Sequence, residues 1–204
     1  MNRLYSHLLP IVTCGAVVVL FFGCSTTTPS KFYTLHALTN EVAGERAVSV
    51  KDAIGVGIGP LSLPALLDRP QIVTRTSSNE LSFAEFDRWA EPLDKNLYRV
   101  LTENMSTLFN TDHVYAYPWK SSAKIDYQVA IDVIRFDVTS DGEASLVARW
   151  TVYGGEGREV LLKKKSHLRE SAGSTEFHSL VSALNKTLED FSREVAAAIK
   201  SLPH

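Results

Sequence analysis

From Leu8 to Phe22 the chain is almost wholly apolar, and the block ends abruptly at Gly23-Cys24. A polar tract follows: Ser25, Thr26, Thr27, Thr28, Pro29 and Ser30. About 15 apolar residues fall short of the ~20 that a bilayer-spanning helix needs, and they fit the hydrophobic region of a secretory signal. Arg3, the only formal charge among the first 23 residues, supplies its short positive start. A cysteine directly after a small residue at the end of such a segment is what lipoprotein processing requires. The thiol accepts diacylglycerol, the chain is cleaved after Gly23, and the new α-amino group can be acylated with a fatty acid such as palmitate. Phe21 and Phe22 are bulkier than the residues usual there, and Cys14 has too little apolar chain before it to compete. The alternative is an uncleaved anchor with an incidental cysteine. The expected organisation is therefore a signal peptide over 1–23, a lipidated tether over 24–30, and one folded domain over 31–204.

Within that domain the hydrophobic period alternates between two and three-to-four. Lys31-Phe32-Tyr33-Thr34-Leu35 is aromatic and β-branched and predicts a strand. Residues 40–51 are polar and predict a loop. Ile54, Val56, Ile58, Leu61 and Leu63 predict a buried strand ending at Pro60 or Pro64. Its glycines, Gly55, Gly57 and Gly59, do not make a dinucleotide loop, because prolines follow where a helix would have to open; close packing explains them better. Pro64 to Asp68 predicts one helical turn, with Arg69 extended before Pro70. Gln71–Arg75 and Glu80–Phe83 predict two short strands around a turn at Ser77-Ser78-Asn79.

Trp89, Leu93, Leu97, Val100, Leu101, Met105 and Leu108 recur at helical spacing, predicting a first long helix that starts near Glu91. Val114, Tyr115 and Tyr117 predict a short strand. Ile125–Thr139 predicts a long one whose apolar phase shifts near Val133-Ile134, the mark of a bulge. Asp141-Gly142 is a hairpin turn into Leu146, Ala148, Trp150 and Val152. Gly154-Gly155-Glu156-Gly157 turns again into a strand over Arg158–Leu168, completing a meander. Phe177, Leu180, Val181, Leu184, Leu188, Phe191, Val195 and Ile199 predict a second long helix, with Ser174 as its N-cap.

Composition narrows the function. Loss of the first 23 of 204 residues removes one basic residue, Arg3, and takes the formal charge from −2 to −3. That net charge gives no reason to expect nucleic acid or anionic lipid as a partner. Both cysteines lie in the first 24 residues, so the domain has neither a disulfide framework nor a cysteine-based metal site. No serine sits in a nucleophile-elbow setting, and the six histidines are scattered without a zinc-binding spacing. No catalytic residue, metal or cofactor is expected. Asp68-Arg69 and Asp87-Arg88 are acid–base pairs beside prolines and a tryptophan. They fit loop-ordering through charge-assisted hydrogen bonds and a partner-docking site about equally. Trp89 and Trp150 are expected in the core, and Trp119 after Pro118 as an exposed aromatic contact. Lys163-Lys164-Lys165 fits a solvated strand end better than a lipid-headgroup contact.

Four blocks occur in order: Phe32-Tyr33-Thr34-Leu35; Val56-Gly57-Ile58-Gly59-Pro60 with Leu63-Pro64; Leu67-Asp68-Arg69-Pro70-Gln71-Ile72-Val73-Thr74-Arg75; and Phe86-Asp87-Arg88-Trp89-Ala90-Glu91-Pro92-Leu93. Together they resemble the ABC-type transport auxiliary lipoprotein family, in the branch that serves the paraquat-inducible system. Ala65, where an acidic residue is common, departs from the pattern. The resemblance implies an α/β fold, a mixed β-sheet packed with two long amphipathic helices, similar to anticodon-binding and TolB N-terminal folds. It also implies a non-catalytic lipoprotein without a cofactor. Its partners would be a periplasmic MCE (mammalian cell entry) domain protein and its inner-membrane transporter, in lipid movement between membranes, with a homo-oligomeric ring as a further possibility. Ser25 after the lipid cysteine, in place of a retaining aspartate, points to the outer membrane, facing the periplasm. The alternative is a TolB-like or peptidoglycan-associated envelope assembly lipoprotein.

Overall fold

The computed structural model describes residues 28–39, 54–154 and 159–202. The signal segment, Cys24 and the centre of the second glycine turn lie outside these residues. Eight strands form one mixed sheet: β1 (Lys31–Tyr33), β2 (Val56–Ser62), β3 (Gln71–Arg75), β4 (Leu81–Trp89), β5 (Val114–Ala116), β6 (Tyr127–Thr139), β7 (Glu143–Gly154) and β8 (Glu159–Ser171). Among the described residues two helices, α1 (Leu93–Phe109) and α2 (Phe177–Lys200), pack against it. The architecture is the mixed α/β fold that the family resemblance implies, and the order of strands and helices read from the hydrophobic pattern is compatible with it.

The thirteen-residue β6 organises the sheet. On one edge it pairs antiparallel with β7, which pairs with β8, making the expected meander. The opposite edge is shared: β2 runs parallel to its first half, Val56 opposite Tyr127, and β3 runs parallel to its end, Thr74 opposite Val138. The sheet therefore divides into two lobes beyond β6. One continues from β2 to β5, the other from β3 through antiparallel β4 to parallel β1. The chain between β2 and β3 loops out between the lobes and buries Leu67 to 2% exposure.

The bulge on β6 falls where the apolar phase shifts, between Val133 and Arg135. It keeps Tyr127, Val129, Ile131, Val133, Phe136 and Val138 all buried, with Leu146, Ala148, Trp150 and Val152 beside them on β7. Helix α2 covers this face, with Phe191 edge-on to Trp150 at 6.2 Å between ring centroids. The Trp150 indole N–H donates to Ser166 Oγ at 2.8 Å, which satisfies the one polar atom of the buried ring.

Three expectations are corrected. Trp89 is not on the first helix but ends β4, opposite Tyr33, with its N–H donating to Pro70 O at 2.7 Å. Helical spacing extends back to it by coincidence. Pro92 disfavours helical backbone at Glu91, so the helix opens only at Leu93. Ser174 is not the N-cap of α2; Glu176 is, and Ser174 Oγ accepts the Glu176 N–H at 3.3 Å in a local turn before the helix. β2 passes through Pro60 and ends at Ser62. Its ladder with β6 slips between Ile58 and Leu61, so no ladder bond is asked of the proline there.

A buried carboxylate joins the β3 lobe to β6. Asp137, its side chain 1% exposed, accepts from Arg75 Nε and Nη2 at 3.1 and 2.8 Å and from Arg135 Nε at 2.5 Å. Truncating one member of such a cluster leaves buried charge without its partner. Asp137→Ala is expected to lower unfolding free energy by about 3–5 kcal/mol in urea denaturation. A loss below 1 kcal/mol would show the cluster to be incidental.

Candidate functional site

After β1 the chain runs as a strap, residues 34–38, across both helices. Three buried asparagines hold it. The Leu35 N–H donates to Asn96 Oδ1 at 3.2 Å, the His36 N–H to Asn185 Oδ1 at 2.8 Å, and the Leu38 N–H to Asn104 Oδ1 at 2.8 Å. Asn104 Nδ2 also donates to Ser192 Oγ at 2.9 Å, linking α1 to α2, and Asn96 Nδ2 donates to Thr34 Oγ1 at 2.9 Å. Leu35 drops into the core at 1% exposure. Strap N–H groups that no sheet or helix could pair are thereby satisfied, as buried backbone donors must be. Sequence reasoning passed over these residues. The signal was present: Asn96 and Asn104 occupy core-facing positions of an otherwise apolar helical stripe, where a polar side chain needs a partner.

Asp68, Arg69, Asp87 and Arg88 all fall on the β3–β4–β1 lobe. Gln71 pairs with Arg88, Arg88 with Phe32, and Asp87 with Lys31, so the loop before β3 and the end of β4 meet beside the strand that continues the tether. Asp87 faces the helices and accepts from the Tyr33 hydroxyl at 2.7 Å; Arg88 points to the other side of the sheet with Phe32 and donates from Nε to Glu85 O at 3.1 Å. Arg69 lies over the Phe83 ring at 3.8 Å, and its buried Nε has no hydrogen-bond partner. Phe32 is 66% exposed and Phe83 42%. The result is a surface of arginine and aromatic side chains beside β1, with one arginine incompletely satisfied.

Trp119 is elsewhere. It belongs to the segment after β5, on the other lobe, where it half-buries itself over Gly57; a Cβ at Gly57 would come within 2.9 Å of its ring. Tyr117, edge-on to it at 5.3 Å, is the more exposed of the two. Gly59 beside them has φ +124, a conformation that glycine tolerates and L side chains do not. The glycine strand thus serves close approach of aromatic side chains. Trp119, Ile54, Ile125 and Leu161 contribute to an open cavity of about 840 Å³ that also carries Lys120 and Lys124. A second groove, of about 630 Å³, runs over Ala130 and Thr151 between Pro60 and the lysines of β8.

Among the described residues no cluster of three or more His, Cys, Asp or Glu side chains could hold a metal ion. Among them, too, no helix is long and apolar enough to cross a membrane. The clearest titration shift belongs to Tyr33, pushed up to about 12 by burial and by its hydrogen bond to Asp87.

Comparison with known proteins supplies an independent view. The family described as the ABC-type transport auxiliary lipoprotein component matches residues 33–196. A solved structure of an uncharacterized protein aligns with TM-score 0.69 at 17% identity, covering 84% of this chain and 99% of that one. A Xanthomonas campestris protein of the DUF330 family aligns with TM-score 0.66 at 18% identity, covering 82% and 93%. At these identities the likeness establishes the fold. A search of curated proteins finds no match.

The Tyr33 shift has a sign that can be tested. A hydroxyl whose folded pKa exceeds its unfolded value of 10 favours the fold while neutral, so its contribution is complete below pH 10 and lost as pH rises through about 12. Tyr33→Phe should therefore lose stability less steeply than the wild type over that interval in denaturant titrations. Equal slopes would show that Tyr33 ionises as freely as in the unfolded chain.

Proposed function

Because the chain belongs to the ABC-type transport auxiliary lipoprotein family, we propose that it is the non-catalytic, membrane-anchored docking component of an MCE-linked lipid transport system. In this reading lipid on Cys24 holds the domain at the periplasmic face of the outer membrane. The domain there receives a periplasmic MCE protein connected to an inner-membrane transporter.

The observation that carries the proposal is the strap. Lys31, the first residue of β1, lies seven residues after Cys24. A fully extended chain of that length spans about 25 Å. From there the backbone is paired to β4 and then held by Asn96, Asn104 and Asn185. A short tether joined this firmly to the core sets the height and orientation of the domain, which a recruiting component needs. The arginine–aromatic surface of Arg69 and Arg88 with Phe32 and Phe83, next to Asp68, fits a docking role, because arginine and aromatic residues are enriched where partners bind. Asp87, on the opposite face of β4, supports it through the Tyr33 hydroxyl. Trp119 offers a second, separate contact on the other lobe. A ring of copies belongs to the same proposal.

Replacing residues 1–24 by a cleavable signal peptide that ends without a lipid-accepting cysteine tests the anchor. The resulting protein should move from the membrane to the soluble periplasmic fraction with an unchanged melting temperature, while the transport system loses function. Retention in the membrane would refute the anchor, and a fully active soluble variant would make it incidental. A photoreactive phenylalanine analogue at position 83 tests the partner. An MCE-domain protein should be recovered from irradiated cells; recovery of peptidoglycan-associated proteins alone would point to the envelope-assembly alternative.

A further inference from the structure

Strand period splits the run Lys163-Lys164-Lys165. Lys164, opposite Trp150, faces the helices and pairs with Glu194 of α2 at 2.6 Å. Lys163 and Lys165, opposite Thr151 and Arg149, stand on the other face of the meander, which no helix covers among the described residues. Rows of paired residues cross that face: Ala130, Thr151 and Lys163 in one, Asp132, Arg149 and Lys165 in the next. The small side chains of Ala130 and Thr151 leave a floor, Pro60 and Ser62 of β2 form one wall, and the two lysines form the other.

The charge in this groove is unbalanced. Its carboxylate, Asp132, is already engaged by Ser62 Oγ at 2.9 Å and more loosely by Arg149 at 3.4 Å. Among the described residues Lys163 and Lys165 have no ion pair, in a chain whose formal net charge is −2. The lysines therefore form a local excess of positive charge beside a shallow, partly apolar floor.

We propose that this groove binds the phosphodiester headgroup of an anionic phospholipid. Lys163 and Lys165 act as donors to the phosphate oxygens, with Arg149 exchanging its exposed contact to Asp132 for the same anion. Two features favour a lipid over an acidic protein. The cations stand on one wall of the groove and do not extend into a broad basic surface. The proposed lipid anchor also places the domain beside a membrane that supplies such headgroups. The second point rests on the anchored reading above; the groove itself does not. It adds direct lipid contact to a component otherwise proposed only to dock.

The test uses the mature protein in a neutral detergent micelle with a photoactivatable phosphatidylglycerol, and maps the adducts by mass spectrometry. Adducts should concentrate on residues 130–132, 149–151 and 163–165. Lys163→Gln with Lys165→Gln should lower them about thirtyfold, as expected for two headgroup lysines removed. The paired Lys→Arg variant should retain them, and a photoactivatable phosphatidylcholine should label the groove weakly. Labelling spread evenly over the surface, or unchanged in the Gln variant, would overturn the proposal. Equal competition by inorganic phosphate would also overturn it, by showing a simple anion site. Loss of Cys24 lipidation, or absence of an MCE partner, leaves this measurement unaffected, so the two proposals fail separately.

Discussion

The fold depends on how three asparagine side chains treat a piece of extended backbone. A strap laid across two helices has N–H groups that neither helix can pair through its own backbone, and burying them unpaired would cost about 1–3 kcal/mol each. Asn96, Asn104 and Asn185 replace a neighbouring strand by presenting amide oxygens at three successive places along the strap. The same contacts tie α1 to α2 through Ser192 and allow Leu35 to fill the core. The strap that follows β1 is thereby joined to the interior.

The long β6 determines where surfaces arise. Because its two halves pair with different strands, the loops before β3 and after β5 are carried on separate lobes. The acid–base pairs gather on the lobe next to the tether, Trp119 on the other, and the lysines of β8 beyond the opposite edge of β6. Asp137, clasped by Arg75 and Arg135, braces the first lobe against β6. The surfaces proposed for docking and for lipid are thus carried on one continuous sheet.

Much of this was legible where the pattern is local. Alternation placed β3 and the meander, and the phase change near Val133 located a bulge. The hairpin at Asp141-Gly142 and the apolar stripes of both helices followed from turn chemistry and period. Trp89 was misassigned because periodicity cannot distinguish the end of a strand from the first turn of a helix when the spacing happens to fit. The pairing of β1 with β4 joins residues 56 positions apart, as in Lys31 with Asp87, and no local signal encodes it. The asparagine strap was half legible: polar residues interrupt apolar helix faces, yet their partners lie far away in sequence. The acid–base pairs were identified individually, but their meeting on one lobe is a product of sheet topology. The lysine run was read as a unit, although period two divides it between opposite faces.

Amide hydrogen exchange along the strap tests most directly whether the tether end is built into the interior. The Leu35, His36 and Leu38 N–H groups should exchange only through global unfolding, with the same opening free energy as core amides such as Val129 and Ala148. Exchange of these three within the range of loop amides, while β6 and β7 remain protected, would contradict the account. The strap would then be a loosely held leader.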